Sequence, residues 1–111
     1  YRIHGSPGGS DVVPVEDNNG MAVPEEFALL QNYPNPFNST TMIPFTVSKK
    51  SFVSLTIFNM MGQKLATLVH KEFLPGRYLI EWDGEKWSTG VYLLQMKAGN
   101  FNRVIKLLLI K

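Results

Sequence analysis

Residues 32–38, Asn-Tyr-Pro-Asn-Pro-Phe-Asn, constrain the fold more than any other part of the chain. Pro34 and Pro36 each fix their own φ angle and push the preceding residue towards extended geometry, which disfavours a helix. The asparagines favour local turns, and Tyr33 and Phe37 are two large apolar side chains available for packing. The stretch therefore predicts a stiff, non-helical segment that leads into a β domain and pins its first strand.

After this segment, apolar side chains recur at every second position, which is the period of a half-buried strand. Ile43, Phe45 and Val47, for example, are separated by single residues. No segment keeps a helical period for long enough to predict a helix. The pattern predicts strands over residues 41–47, 52–59, 63–70, 77–82, 91–98 and 101–110.

Turn signals separate these strands. Gly62 ends the segment Asn59-Met60-Met61-Gly62, where a hairpin favours positive φ, and Gly99-Asn100 is a two-residue hairpin loop. Pro44 has no backbone N–H to donate, so strand 41–47 is predicted to lie at an edge of its sheet. Strands and turns at this spacing predict an all-β sandwich of about seven short, mostly antiparallel strands.

Charge and composition divide the chain near residue 26. Residues 1–26 hold one arginine against five carboxylates, a net charge of −4, whereas residues 27–111 hold ten lysines and arginines against four carboxylates, a net charge of +6. Gly, Ser and Pro dominate residues 5–10, a composition typical of a flexible linker. We therefore predict that residues 1–26 are the end of an upstream region and a flexible acidic linker. Residues 27–111 are predicted to form one folded domain.

The composition excludes several classes of site. The chain has no cysteine, so neither a disulfide framework nor a cysteine-based zinc site is available. The basic residues are scattered, so no nucleic-acid-binding surface is predicted. Glu81, Asp83 and Glu85 are close in sequence, but they are more simply explained as turn-forming and solvated residues around a loop than as a catalytic pair. We predict no catalytic, cofactor-binding or metal-binding residue.

Short sequence blocks in a fixed order give the chain a family resemblance. They are Leu30–Asn38 followed by Thr41–Phe45, Asn59–Gln63, Pro75–Tyr78, Trp82–Gly84, Thr89–Tyr92, and Lys106 with Lys111. Together they resemble the C-terminal sorting domain of the type IX secretion system, which is similar to the Ig-like domain of flagellar hook-capping proteins. The resemblance covers residues 27–111. Ser39 is a departure, because the family very often has proline at this position.

The resemblance implies an Ig-like β-sandwich that directs a passenger protein across the outer membrane of a Gram-negative bacterium, from the periplasm to the medium or the cell surface. The implied partners are the type IX machinery, a sortase-like protease that cuts in the linker, and the upstream passenger. In the family the Pro-Gly-x-Tyr block, the Gly-x-Tyr block and the lysine-bearing terminal strand are recognised by the machinery. The matching positions are Pro75, Gly76, Tyr78, Gly90, Tyr92, Lys106 and Lys111. Without the resemblance, the glycines are explained by turns and the lysines by protection of a terminal strand.

Two other functions stay open from the sequence. The first is a carbohydrate-binding module of a secreted enzyme, because Trp82 and Trp87 are aromatic rings of the kind that stack on sugars. Alternation with Tyr78 and Ile80 places Trp82 in the core, which leaves Trp87 as the candidate glycan contact. The second is a purely structural Ig-like accessory module. Apolar terminal strands also suggest a weak homodimer formed through strand edges.

Overall fold

A computed structural model describes residues 12–15 and 24–111 of the chain. The strands are β1 (Val12–Val15), β2 (Ala28–Leu29), β3 (Thr40–Val47), β4 (Ser51–Asn59), β5 (Lys64–Phe73), β6 (Gly76–Asp83), β7 (Gly90–Ala98) and β8 (Phe101–Leu109). Within these residues there is no helix long and apolar enough to cross a membrane.

The strands form two antiparallel sheets of four strands each. The first sheet has the order β1-β6-β3-β2, and the second has the order β5-β4-β7-β8. The predicted all-β sandwich is confirmed. Each of the six strands predicted by alternation is present, and β1 and β2 are the two that the pattern did not predict.

One face of each sheet supplies the core between them. Aromatic rings join the two sheets: Phe45 of β3 packs edge-on against Phe73 of β5 with ring centroids 5.5 Å apart, and Trp82 of β6 packs against Tyr92 of β7 at 5.6 Å. Trp82 is a core residue, as alternation predicted. Fully buried aliphatic side chains fill the space around these rings, and they include Ile43, Val53, Leu55, Ile57, Ile80, Leu94, Leu107 and Leu109.

Two glycines make the hairpin turns that the sequence predicted. Gly62, in the turn from β4 to β5, has a φ of 85°, and Gly99, in the turn from β7 to β8, has a φ of 58°. Other residues rarely adopt these left-handed angles. The Asn59 side chain closes the first turn, because its Oδ1 accepts hydrogen bonds from the N–H groups of Met61 and Gln63 at 2.9 and 3.0 Å.

The prediction that Pro44 places its strand at a sheet edge is wrong. β3 lies between β6 and β2, so it is an internal strand. The carbonyl of Pro44 accepts a hydrogen bond from Leu30 N–H at 3.0 Å, which shows that the backbone groups of Pro44 point towards the β2 side. The side of β3 on which Pro44 has no N–H to donate therefore faces β2, a strand of only two residues. The long ladder with β6 is unaffected, because neighbouring residues of a strand direct their backbone groups to opposite sides.

The structure differs from the linker prediction at Val12–Val15. These residues form β1, which pairs antiparallel with residues 77–80 of β6. Val12 packs against the core from the edge of the first sheet. The linker prediction otherwise falls mainly on residues 1–11 and 16–23, which lie outside the described residues.

Candidate functional site

The segment 31–37 seals the outer edge of the terminal strand β8. Phe37 forms a parallel bridge there: its N–H donates to Leu108 O, and its carbonyl accepts from Ile110 N–H, both at 2.9 Å. Asn35 Oδ1 accepts from Leu108 N–H at 3.0 Å. Gln31 Nε2 donates to the carbonyl of Lys106 at 2.9 Å. The backbone of β8 between residues 106 and 110 is therefore paired on the side away from β7.

The same segment is attached to β3, as predicted from the sequence. Tyr33 and Met42 exchange two backbone hydrogen bonds of 2.9 and 2.8 Å. The buried Asn32 amide donates to Thr41 Oγ1 at 2.9 Å and to the carbonyl of Pro34 at 3.3 Å. The peptide bonds that precede Pro34 and Pro36 are both cis. We call residues 31–37 the edge seal, since they connect the first sheet to the free side of the last strand.

Phe37 anchors the edge seal in the core. Its side chain is 2% exposed, and its ring lies 5.6 Å from that of Trp82. Gly84 lies directly beneath it, with its N–H donating to Ser39 O at 2.6 Å. A Cβ atom at Gly84 would be 3.2 Å from the Leu109 side chain and 3.3 Å from the Phe37 ring. Close packing therefore explains the glycine of the Trp82-Asp83-Gly84 block.

The tyrosines of the Pro-Gly-x-Tyr and Gly-x-Tyr blocks make the same kind of hydrogen bond. The Tyr78 hydroxyl donates to the carbonyl of Leu74 at 2.7 Å, and the Tyr92 hydroxyl donates to the carbonyl of Ser88 at 2.6 Å. In both cases the acceptor lies four residues before the tyrosine, across the bend that opens a strand. Such tyrosine corners recur in β-sandwiches. Both tyrosines thus have a structural role, and Tyr92 is only 7% exposed.

We expect Tyr92→Phe to lower the free energy of unfolding by about 1 kcal/mol, because it removes one partly buried hydrogen bond. Tyr78→Phe should have a similar or smaller effect, since its hydrogen bond is closer to solvent. Urea denaturation of the purified chain measures both. Tyr33→Phe is the matched control, because that side chain is 53% exposed. Equal stability of Tyr92→Phe and the control would contradict a stabilising role for the corner.

The Tyr78 corner also predicts how stability depends on alkaline pH. Burial raises the pKa of Tyr78 above its ordinary value of 10.0. The unfolded chain therefore loses this proton at a lower pH than the folded chain does. The contribution of Tyr78 to stability is fully present below pH 10 and is lost as the pH rises through the folded pKa. Tyr78→Phe should flatten this part of the alkaline stability curve, which urea denaturation at a series of pH values measures.

The predicted recognition residues lie at two ends of the sandwich. Pro75, Gly76 and Tyr78 are at the start of β6, whereas Gly90 is at the start of β7 and pairs with Leu109. The eight residues of β6 separate these ends by roughly 25 Å. The structure thus does not bring all of the predicted residues together.

Gly90 and Lys111 do come together, at a corner formed by residues 85–90 and 109–111. The Lys111 N–H donates to Thr89 Oγ1 at 3.0 Å, and the Lys111 ammonium donates to the carbonyl of Glu85. We call this region the terminal corner. Lys106 lies three pairs further along the β7–β8 ladder, opposite Leu93, with an exposed side chain.

A comparison with protein families identifies the domain. The profile of the secretion system C-terminal sorting domain matches residues 31–111, from the edge seal to the terminal corner. The chain belongs to this family. No curated protein and no solved structure matches the chain significantly. The sorting domain is thus a signal for type IX secretion, which delivers proteins to the outside or to the cell surface, and its family is not one of enzymes.

The aromatic pair of the sorting domain does not form an exposed platform for sugar rings. Trp82 is 3% exposed, and Trp87 packs its ring against those of Trp82 and Tyr92 at centroid distances of 6.4 and 6.3 Å. Trp87 belongs to the terminal corner and is half-buried there. A glycan contact at Trp87 stays a prediction.

The acidic loop of the sorting domain has a turn-forming role. Asp83 Oδ1 accepts a hydrogen bond from Glu85 N–H at 2.9 Å, which closes the bend after β6. Trp87 N–H donates to the carbonyl of Gly84 at 2.9 Å in the next turn. Across residues 12–15 and 24–111, no three His, Asp or Glu side chains are close enough to hold a metal ion.

Sequence reasoning missed two features of the site. Gln31 and Asn35 bond to the backbone of a strand more than 70 residues later in the chain, and no local pattern indicates such a contact. Gly84 was part of a recognised block, but the sequence did not indicate that it lies between two core side chains. Both features belong to the fold that supports the terminal corner.

Proposed function

We propose that the sorting domain carries an upstream passenger through the outer membrane of a Gram-negative bacterium by type IX secretion. The machinery recognises the terminal corner, and a sortase-like protease then cuts within residues 1–26. The passenger is released or becomes attached to the cell surface. The domain itself catalyses no reaction in this scheme. The observation that carries the proposal is that Gly90, unlike Gly84, is not explained by the fold.

The surroundings of Gly90 leave room for a side chain. A Cβ atom there would have one neighbour within 4 Å, the carbonyl oxygen of Ser88, at a distance of 4.0 Å. The φ angle of Gly90 is not positive. Neither packing nor backbone geometry requires glycine at this position. A partner that approaches the backbone closely is a second physical reason for glycine, and it agrees with the recognition role that the family implies.

The two lysines supply charge near this glycine. The Lys111 ammonium bonds to a backbone carbonyl and forms no ion pair with any described residue, so its positive charge is not neutralised by a carboxylate within the domain. Lys106 is exposed on the outer face of the second sheet. Exposed charges of this kind contribute to specificity and to the rate of association more than to affinity. They therefore support a recognition role for this end of β8.

The test is export of a fluorescent passenger joined to residues 1–111 behind a periplasmic signal peptide. We expect delivery to the medium or the surface, with cleavage in the linker, in a host with a working type IX system. A strain without the system should retain the fusion in the periplasm. Equal delivery in both strains would contradict the sorting role.

Within this assay, Gly90→Ala separates recognition from folding. We expect its thermal stability to equal or slightly exceed that of the natural domain, by up to about 1 kcal/mol, because glycine in a strand costs backbone entropy. Export should nevertheless fall sharply. Normal export of a folded Gly90→Ala domain would show that the machinery does not require this glycine, as expected for a structural accessory module.

A further inference from the structure

The edges of the two sheets differ in how they are closed. The strands at the edges are β1 and β2 in the first sheet, and β5 and β8 in the second. β8 is covered by the edge seal over residues 106–110. β5 has two irregularities in its pairing with β4 and carries the charged side chains of Lys64, Lys71 and Glu72. Bulges and charges are features that prevent further strand pairing.

On the first sheet, β2 is a two-residue strand followed by the Tyr33 bridge, so this side offers no long regular edge. β6, in contrast, is a regular eight-residue strand that pairs with β3 along its whole length. On its other side β6 is covered by β1 alone, and β1 pairs with residues 77–80 of β6. The closure of this edge depends on a single short strand.

Several observations indicate that β1 is held weakly. It has four residues, of which Pro14 and Val15 are exposed. The Leu30–Pro44 hydrogen bond shows that the backbone groups of Pro44 point towards β2, away from its partner Leu79 on β6. Leu79 therefore directs its own backbone groups to the other side, towards β1. The hydrogen-bonded pairs between β1 and β6 are thus Val13–Leu79 and Val15–Arg77. Pro14 lies between these two pairs, so the position where it lacks an N–H is on the side of β1 away from β6. A further strand cannot pair regularly with β1 on that side. Only Val12 reaches the core.

β1 also lies outside the part of the chain that the family shares. The family match begins at residue 31, whereas β6 is entirely within it. The strand that provides the edge is thus a family element, whereas the strand that covers it belongs to residues 1–26, the predicted upstream region and linker. A strand outside the shared domain is suited to be a temporary cover.

From these observations we infer that the β6 edge is an acceptor site for an extended segment of the type IX machinery, occupied by Val12–Val15 until that segment replaces it. The inference rests on the proposed sorting function. Binding by strand addition uses main-chain hydrogen bonds, and alternate side-chain positions set its specificity. Here the incoming strand needs donors and acceptors opposite Arg77 and Leu79. It also needs one apolar side chain at the position of Val12, where the cover strand meets the core.

A disulfide lock between β1 and β6 tests the proposal in the full chain fused to its passenger. Val13→Cys/Leu79→Cys places two thiols directly opposite each other within residues 1–111, which otherwise contain no cysteine. Cα separations of directly opposed antiparallel residues are about 4.5–5.5 Å, which is within the range of roughly 4.4–6.8 Å that a disulfide spans. In the oxidising periplasm the bond holds β1 in place. We expect the locked fusion to fold, to stay in the periplasm and to lose export.

The matched control is Ser54→Cys/His70→Cys, a lock between β4 and β5 in the second sheet. This lock and the Val13→Cys single variant should both be exported as the unlocked fusion is. Alkylation of free thiols followed by gel electrophoresis shows whether each disulfide has formed, and thermal melting shows that each domain is folded. Export of the Val13→Cys/Leu79→Cys fusion with its disulfide intact would overturn the acceptor-site proposal.

A second variant changes β1 in the opposite direction. Val12→Asp removes the apolar contact with the core and should loosen β1, yet export should persist, because the cover must leave in any case. Loss of export by a folded Val12→Asp domain would make β1 a required part of the signal and would overturn the proposal. Disulfide-linked dimers of the Val13→Cys/Leu79→Cys chain would identify a second copy as the occupant and would also overturn it. Failure of the unlocked fusion to reach the outside would remove the sorting role itself.

Discussion

Phe37→Ala should lower the free energy of unfolding by about 3–5 kcal/mol, the usual cost of removing a buried phenylalanine ring. The ring is almost completely buried against Trp82 and above Gly84, so neighbouring side chains have little freedom to fill the cavity. Small domains have a total stability of about 5–15 kcal/mol. The substitution therefore removes a large part of it, and export should be lost because the edge seal no longer holds the last strand.

Tyr33→Ala is the control for Phe37→Ala. Both aromatic residues belong to the edge seal, but the Tyr33 ring is half exposed, and its link to Met42 uses backbone atoms that alanine retains. We expect a change in the free energy of unfolding of about 0.5 kcal/mol or less, as for other substitutions at the surface. Denaturant titration of both variants gives the comparison. Similar losses for the two substitutions would mean that the ring of Phe37 is not the anchor of the segment.

Removal of Lys106–Lys111 should abolish export mainly because it unfolds the sorting domain. The deletion takes away Leu107 and Leu109, which are completely buried, together with the backbone groups that bond Phe37 and Gln31. Truncating one buried leucine to alanine costs about 2–5 kcal/mol, so losing both residues and their ladder is on the order of the whole stability of a small domain. We expect a passenger that remains folded in the periplasm and a tail without a β-sheet circular dichroism spectrum.

Lys106→Ala combined with Lys111→Ala distinguishes recognition from folding at the same strand. Both side chains are exposed, and exposed substitutions usually change stability by less than about 0.5 kcal/mol. The double variant should melt close to the natural domain and should still be exported poorly. Efficient export of the double variant would show that the two lysines are not part of the recognition surface. For the deletion, a domain that remains folded would contradict the role of β8 in the core.

The strands with a strong alternating pattern were predictable because the positions of their apolar residues indicate which face is buried. In β3, β4 and β7 apolar residues recur at every second position, and Gly62 and Gly99 indicate the hairpin turns. β1 has no such pattern: its four residues are Val-Val-Pro-Val, between polar stretches. Its pairing is decided by the available edge of β6, which a local pattern does not reveal.

The prediction that β3 lies at a sheet edge was wrong for a similar reason, since it too depended on contacts that a local pattern does not reveal. Proline excludes one hydrogen bond on one side of a strand, and the sequence does not tell which side. In the structure that side faces β2. The terminal corner was predictable only in part. The family resemblance pointed to Gly90 and Lys111, but their proximity depends on the pairing of Gly90 with Leu109 and on the hydroxyl of Thr89, which are contacts between distant parts of the chain.

The edge seal makes assembly of the sorting domain depend on the presence of β8. Tyr33 and Asn32 bond to β3, early in the chain. Gln31, Asn35 and Phe37, in contrast, gain their partners on β8 only once residues 106–110 have been made. A nascent chain that stops before residue 101 has no β8, so β7 becomes the edge of its second sheet and Phe37 lacks its partner strand. Such a product cannot assemble the domain, whatever the state of the passenger in front of it. A chain truncated before β8 should therefore lose the folded sorting domain without any change in the passenger.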